Sequence, residues 1–81
     1  MTRLPLDLTG ADLVKALRRL DYQETRTTGS HIRVTCPGPP QHHLTIPKHD
    51  PLKVGTLAGI LDELARARKT TRDELLKALF D

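Results

Sequence analysis

The sequence predicts an α+β fold in the order α-β-β-β-α-α: a three-stranded antiparallel sheet with one face packed on helices. Two observations predict it. Apolar residues recur at helical spacing in three stretches, from Leu13 to Leu20, from Leu57 to Leu64 and from Leu75 to Phe80. Between the first two stretches lie short alternating runs. They are interrupted by Thr28-Gly29-Ser30 and by Pro37-Gly38-Pro39-Pro40-Gln41, which read as hairpin connections. Strands joined this closely pair antiparallel, and a single apolar face is the one that helices cover.

Taken in order, residues 1–8 contain Pro5 and no clear period, and read as an extended arm whose leucines tuck against the body. The first helix starts at Thr9, where Thr9 and Asp12 have the spacing of a capping box with Asp in place of the usual Glu. Leu13, Val14, Leu17 and Leu20 form its buried stripe, while Lys15, Arg18 and Arg19 lie on another face, as a solvated surface or as phosphate contacts. Tyr22–Thr27 is polar and rich in Thr, which suits an edge strand. His31–Cys36 is the second strand, and Pro37 stops it because proline has no backbone donor.

Alternation along this strand puts Ile32, Val34 and Cys36 on one side and His31, Arg33 and Thr35 on the other. Gly29, just before it, is expected to supply a positive φ for the turn. His42–Pro47 is the third strand. Leu44 and Ile46 point inward, His43 and Thr45 point to the open face, and the adjacent His42 and His43 therefore face opposite ways. Asp50 precedes a proline and is biased away from helix. The second helix begins near Thr56 and buries Leu57, Ile60, Leu61 and Leu64, with Asp62 and Arg66 at a favourable i,i+4 spacing. The third opens at Thr71, with Glu74 completing a second capping box, and buries Leu75, Leu76, Leu79 and Phe80.

At 81 residues this reads as one domain, with a core over residues 9–67 and an additional C-terminal helix over 71–80. The formal net charge of +3 suits an anionic partner without requiring one. All four histidines, 31, 42, 43 and 49, fall in the central segment with Arg26, Arg33, Lys48 and Lys53. Tyr22 and Phe80 are the only aromatics, which argues against a sheet that stacks bases on aromatic rings. A single cysteine, Cys36, excludes an intrachain disulfide and reads as inert core. No signal peptide or membrane-length apolar run is visible, so no membrane association and a cytoplasmic location are expected.

His31, Arg33 and a hydroxyl on one open face make a plausible start for phosphate chemistry. Each residue also has a plainer reading. A surface histidine is usually only that, Arg33 could be a solvated strand residue, and His49 could hold the loop around Asp50. Ser30 reads as a turn residue rather than a nucleophile, because no acid–base triad surrounds it. A zinc site from Cys36, His42, His43 and His49 fits residue type but not geometry, since His42 and His43 point apart.

Three stretches together resemble the HicA family of bacterial toxins. They are Thr9-Gly10-Ala11-Asp12-Leu13-Val14-Lys15-Ala16-Leu17, then Gly29-Ser30-His31, then Ile46-Pro47-Lys48-His49 followed by Leu52-Lys53-Val54-Gly55-Thr56-Leu57-Ala58-Gly59-Ile60-Leu61. The first is similar to the family's start of helix 1, the second to its signature, and the third to its Pro-x-His and Leu-Lys-x-Gly-Thr-Leu pattern. Three features depart from the family: the second hairpin loop is proline-rich rather than a short polar turn, residues 65–81 extend past the common core as an additional helix, and the N-terminal arm is extra.

The resemblance implies a double-stranded-RNA-binding-domain-like fold and an mRNA interferase, an endoribonuclease that needs no metal or other cofactor. It implies an mRNA substrate and inhibition by a cognate HicB-type antitoxin. It makes His31 the catalytic residue. Cleavage by 2′-hydroxyl attack needs a base, charge stabilisation at phosphorus and an acid for the leaving oxygen, and histidine can serve as base or acid near neutrality. Arg33 is then the candidate for transition-state charge, with Ser30, Lys48, His49 and Arg26 as RNA-binding or supporting residues. Two other functions share the same residues: a non-catalytic RNA-binding module of this fold, and an inactive domain kept for protein interaction.

Overall fold

A computed structural model describes residues 4, 5 and 7–80 of the chain. The elements are α1 (Gly10–Leu17), a 3₁₀ turn (Arg18–Leu20), β1 (Gln23–Thr27), β2 (His31–Cys36), β3 (His42–Pro47), α2 (Val54–Arg68) and α3 (Arg72–Phe80). The sheet is antiparallel in the order β1-β2-β3, so the fold is the α+β arrangement expected, with an additional C-terminal helix. The leucines expected in the N-terminal arm divide: Leu4 and Leu8 pack against the core, while residues 1–3 and 6 lie outside the described residues.

Both ends of α1 follow from local chemistry. The Asp12 amide donates to Thr9 Oγ1 at 3.0 Å, and the Thr9 amide donates to Asp12 Oδ2 at 3.2 Å, a complete capping box. After the 3₁₀ turn, Asp21 takes a left-handed conformation, φ 69°, and turns the chain into β1. Tyr22 falls just outside the strand and is buried in the core instead.

One apolar core joins all the layers. Leu13, Val14 and Leu17 of α1, Leu57, Leu61 and Leu64 of α2, and Leu75, Leu76 and Leu79 of α3 meet Ile32, Val34, Leu44 and Ile46 from the inner face of the sheet. Leu20, Ile60 and Phe80, expected to be buried, are half-buried at its margin. α3 packs on its own chain, and Arg72 ties it to α2 through Asp62 at 2.7 Å. This replaces the Asp62–Arg66 pairing expected from i,i+4 spacing, because Arg72 offers a closer partner from the next helix. α2 begins at Val54, two residues before the expected Thr56, since the Leu57 amide already donates to the Lys53 carbonyl. The Glu74 amide donates to Thr71 Oγ1 as a cap should, while the Glu74 carboxylate accepts from Thr70.

One close approach sets the geometry of the site. A Cβ on Gly10 would lie 2.1 Å from the Pro47 carbonyl oxygen, so only glycine lets α1 seat against the end of β3.

Candidate active site

His31 opens β2 at the exposed end of the first hairpin. Thr28 holds this turn. Its amide donates to the His31 carbonyl at 2.9 Å, and its Oγ1 accepts from the His31 amide at 3.2 Å. The Ser30 hydroxyl bonds His31 Nδ1 at 2.8 Å. That bond orients the ring and leaves Nε2 as its remaining polar atom. Ser30 is thus placed to position the His31 ring.

The expected reason for Gly29 is not borne out. Gly29 does not adopt a positive φ, and a Cβ there would meet no atom within 4 Å. The left-handed glycine is Gly38, φ 78°, in the proline-rich loop. The turn at residues 28–31 is closed by Thr28 hydrogen bonds instead, so the fold itself does not require glycine at position 29.

The loop after β3 is brought to the same end. The Lys48 amide donates to the Ser30 carbonyl at 2.8 Å, the Gly10 amide to the His49 carbonyl at 2.9 Å, and the Leu52 amide to the Leu8 carbonyl at 2.7 Å. Backbone bonds therefore fix Lys48 beside the His31 turn and His49 over the start of α1, with both side chains exposed. The sequence alone could not establish that proximity.

Arg33 stands one strand repeat from His31 on the outer face, opposite Thr45 on β3 and opposite Arg26 on β1. A register shift between Glu24 and Arg26 makes this pairing. Thr25 is the extra residue of the bulge, and it brings Arg26 directly across from Arg33. Neither arginine has an ion-pair partner among the described residues. Like charges opposite each other in a sheet are unfavourable by roughly 0.2–1 kcal/mol, a repulsion that a bound anion would relieve.

Thr35 differs from expectation. It lies on the outer face but is buried, at 8% exposure. Thr25 Oγ1 sits 2.9 Å from Thr35 Oγ1, which sits 2.8 Å from His43 Nδ1, and these neighbours cover it. The bulge at Thr25, which no local pattern announces, is what closes this row.

His42 and His43 do face opposite ways. His42 Nδ1 bonds the Tyr22 hydroxyl at 2.5 Å on the inner side, with the rings edge to face. Burial pushes the Tyr22 hydroxyl above its usual 10.0; Cys36 adds to the shift and Arg68 opposes it. A concave space of about 490 Å³ opens there, lined by Tyr22, Cys36, Pro39, His42 and Arg68. It lies at the opposite end of the sheet from His31 and contains none of that cluster. Among the described residues, no three His, Cys, Asp or Glu side chains converge as metal ligands. No helix among them is long and apolar enough to cross a membrane.

Comparison with known proteins gives one clear relation. The family model described as the HicA toxin of bacterial toxin–antitoxin systems matches residues 10–65, which include His31, Arg33, Lys48 and His49. No curated protein and no solved structure matched the chain. The match covers most of the chain, and the chain belongs to the HicA toxin family of bacterial toxin–antitoxin systems.

Proposed function

We propose that this toxin is a metal-independent endoribonuclease that cleaves mRNA, with His31 as its catalytic acid–base residue and a HicB-type antitoxin as its inhibitor. One observation carries the reading: an exposed histidine whose ring is held by Ser30 stands beside an unneutralised Arg26–Arg33 pair. An acid–base group and an anion site on one face are what phosphodiester cleavage requires.

In this reading the RNA backbone lies along the outer face at the His31 end. Arg33 and Arg26 hold the phosphate and take up charge that develops in the transition state. His31 Nε2 exchanges the proton, either removing it from the attacking 2′-hydroxyl or delivering it to the leaving oxygen. Ser30 fixes the ring for that exchange. Lys48 and His49 border the same end and supply further positive or polar contact. An antitoxin that silences the enzyme covers this face. The toxin acts in the cytoplasm, where mRNA is found.

Induced expression in a bacterial host tests this. Wild-type protein is expected to arrest growth and fragment a reporter mRNA, and His31→Ala to do neither while staying soluble. Equal arrest by both would remove His31 from the mechanism and favour toxicity by RNA binding alone.

A further inference from the structure

Proton exchange at His31 needs the ring in one place, and the main chain that carries the ring is held by another residue. The ladder that pairs β1 with β2 ends at Thr27 and Ile32, so His31 lies one step beyond its last pair. Opposite His31 on β3 stands Pro47, which has no backbone N–H to give. The His31 carbonyl therefore takes its donors from elsewhere.

Thr28 supplies them. Its amide donates to the His31 carbonyl at 2.9 Å, and its hydroxyl donates to the same oxygen at 3.2 Å. The hydroxyl oxygen in turn accepts from the His31 amide at 3.2 Å. The partners fix these directions, since a backbone amide only donates and a carbonyl only accepts. One hydroxyl thus holds both polar groups of the His31 main chain.

The other contacts at this turn do different things. Ser30 bonds the His31 ring at Nδ1, and the Lys48 amide braces the Ser30 carbonyl at 2.8 Å. Gly29 takes no left-handed conformation that would shape the turn by itself. Thr28 is exposed and lies just outside β1, so its side chain adds nothing to the apolar core.

Resting on the ribonuclease reading above, we propose that Thr28 is a positioning residue for cleavage. Its hydroxyl fixes the main chain of His31, and through it the place of the ring that exchanges the proton. Misplacing a catalytic group by about 1 Å can cost on the order of 10²-fold in rate, whereas one exposed hydrogen bond adds little to the stability of a whole chain. Loss of the hydroxyl is therefore expected in the rate and not in the fold.

Thr28→Val keeps the shape of the side chain and removes the hydroxyl. On a short RNA taken from a reporter mRNA, its kcat should fall roughly tenfold, with KM and the denaturant midpoint close to those of the wild type. Thr28→Ser, which keeps the hydroxyl and drops the methyl, should restore most of kcat. The proposal is overturned if Thr28→Val cleaves as fast as the wild type, or if Thr28→Ser is as slow as Thr28→Val, since either would mean that the hydroxyl is not what matters. A raised KM with unchanged kcat would overturn it in favour of a direct RNA contact. A loss of kcat that tracks a lowered midpoint would overturn it in favour of a purely structural role. Absence of RNA cleavage by the wild type would instead defeat the ribonuclease reading itself, and this one with it.

Discussion

The two faces of the sheet use the same strands for opposite ends. On the inner face, Ile32, Val34, Leu44 and Ile46 disappear into the core, and His42 is held by the buried Tyr22. On the outer face, His31, Arg33 and His43 are exposed, and the His31 and His43 rings are hydrogen-bonded to the hydroxyls of Ser30 and Thr35. His42 and His43 are neighbours in sequence, yet one is bound up with folding and the other is open to solvent. Residue type does not decide this; parity in the strand does. The inner face is expected to govern stability and the outer face function, and substitutions can test that division.

The largest stability effect should come from the core. Leu61 is fully buried, and Leu61→Ala is expected to cost about 2–5 kcal/mol by denaturant unfolding. Gly10→Ala should cost about 1–3 kcal/mol, because the new methyl meets the Pro47 carbonyl and α1 must shift from the end of β3. Full stability in Gly10→Ala would show that this contact does not set the packing.

Tyr22→Phe should follow at about 1–3 kcal/mol, since it leaves His42 Nδ1 without its partner. Tyr22 also gives the inner face a pH signature. Its hydroxyl is raised in the folded state, so above the ordinary value of 10.0 the unfolded chain loses this proton first. The Tyr22 contribution is therefore complete below pH 10 and falls as pH rises toward the folded-state value. Wild type should lose stability more steeply than Tyr22→Phe in alkaline unfolding series; parallel curves would mean that the hydroxyl is not buried.

The smallest stability effect belongs to the outer face. Gly29→Ala should change stability by no more than about 0.5 kcal/mol, because the fold leaves that position open. If RNA cleavage nevertheless falls, the need for glycine comes from the substrate approaching His31. If stability falls instead, the division between the faces breaks at this turn.

Much of this was legible in the sequence because it rests on local chemistry. The capping box at Thr9, the limits of His31–Cys36 and His42–Pro47, and the opposed His42 and His43 all follow from spacing and alternation. What was not legible depends on contacts between distant segments. The bulge at Thr25 pairs Arg26 with Arg33 and buries Thr35, and single-strand periodicity does not reveal it. Arg72 captures Asp62 across two helices, and backbone bonds to Ser30 and Gly10 place Lys48 and His49. The candidate residues could be named from sequence; their arrangement around an uncompensated arginine pair required the sheet.

The most direct measurement pairs cleavage with stability in His31→Ala. Purified wild type and variant would be compared on one RNA in chelator, alongside their denaturant midpoints. The account predicts matching midpoints and a cleavage rate lower by roughly 10²–10⁴-fold in the variant. Unchanged cleavage by a folded His31→Ala protein would contradict it.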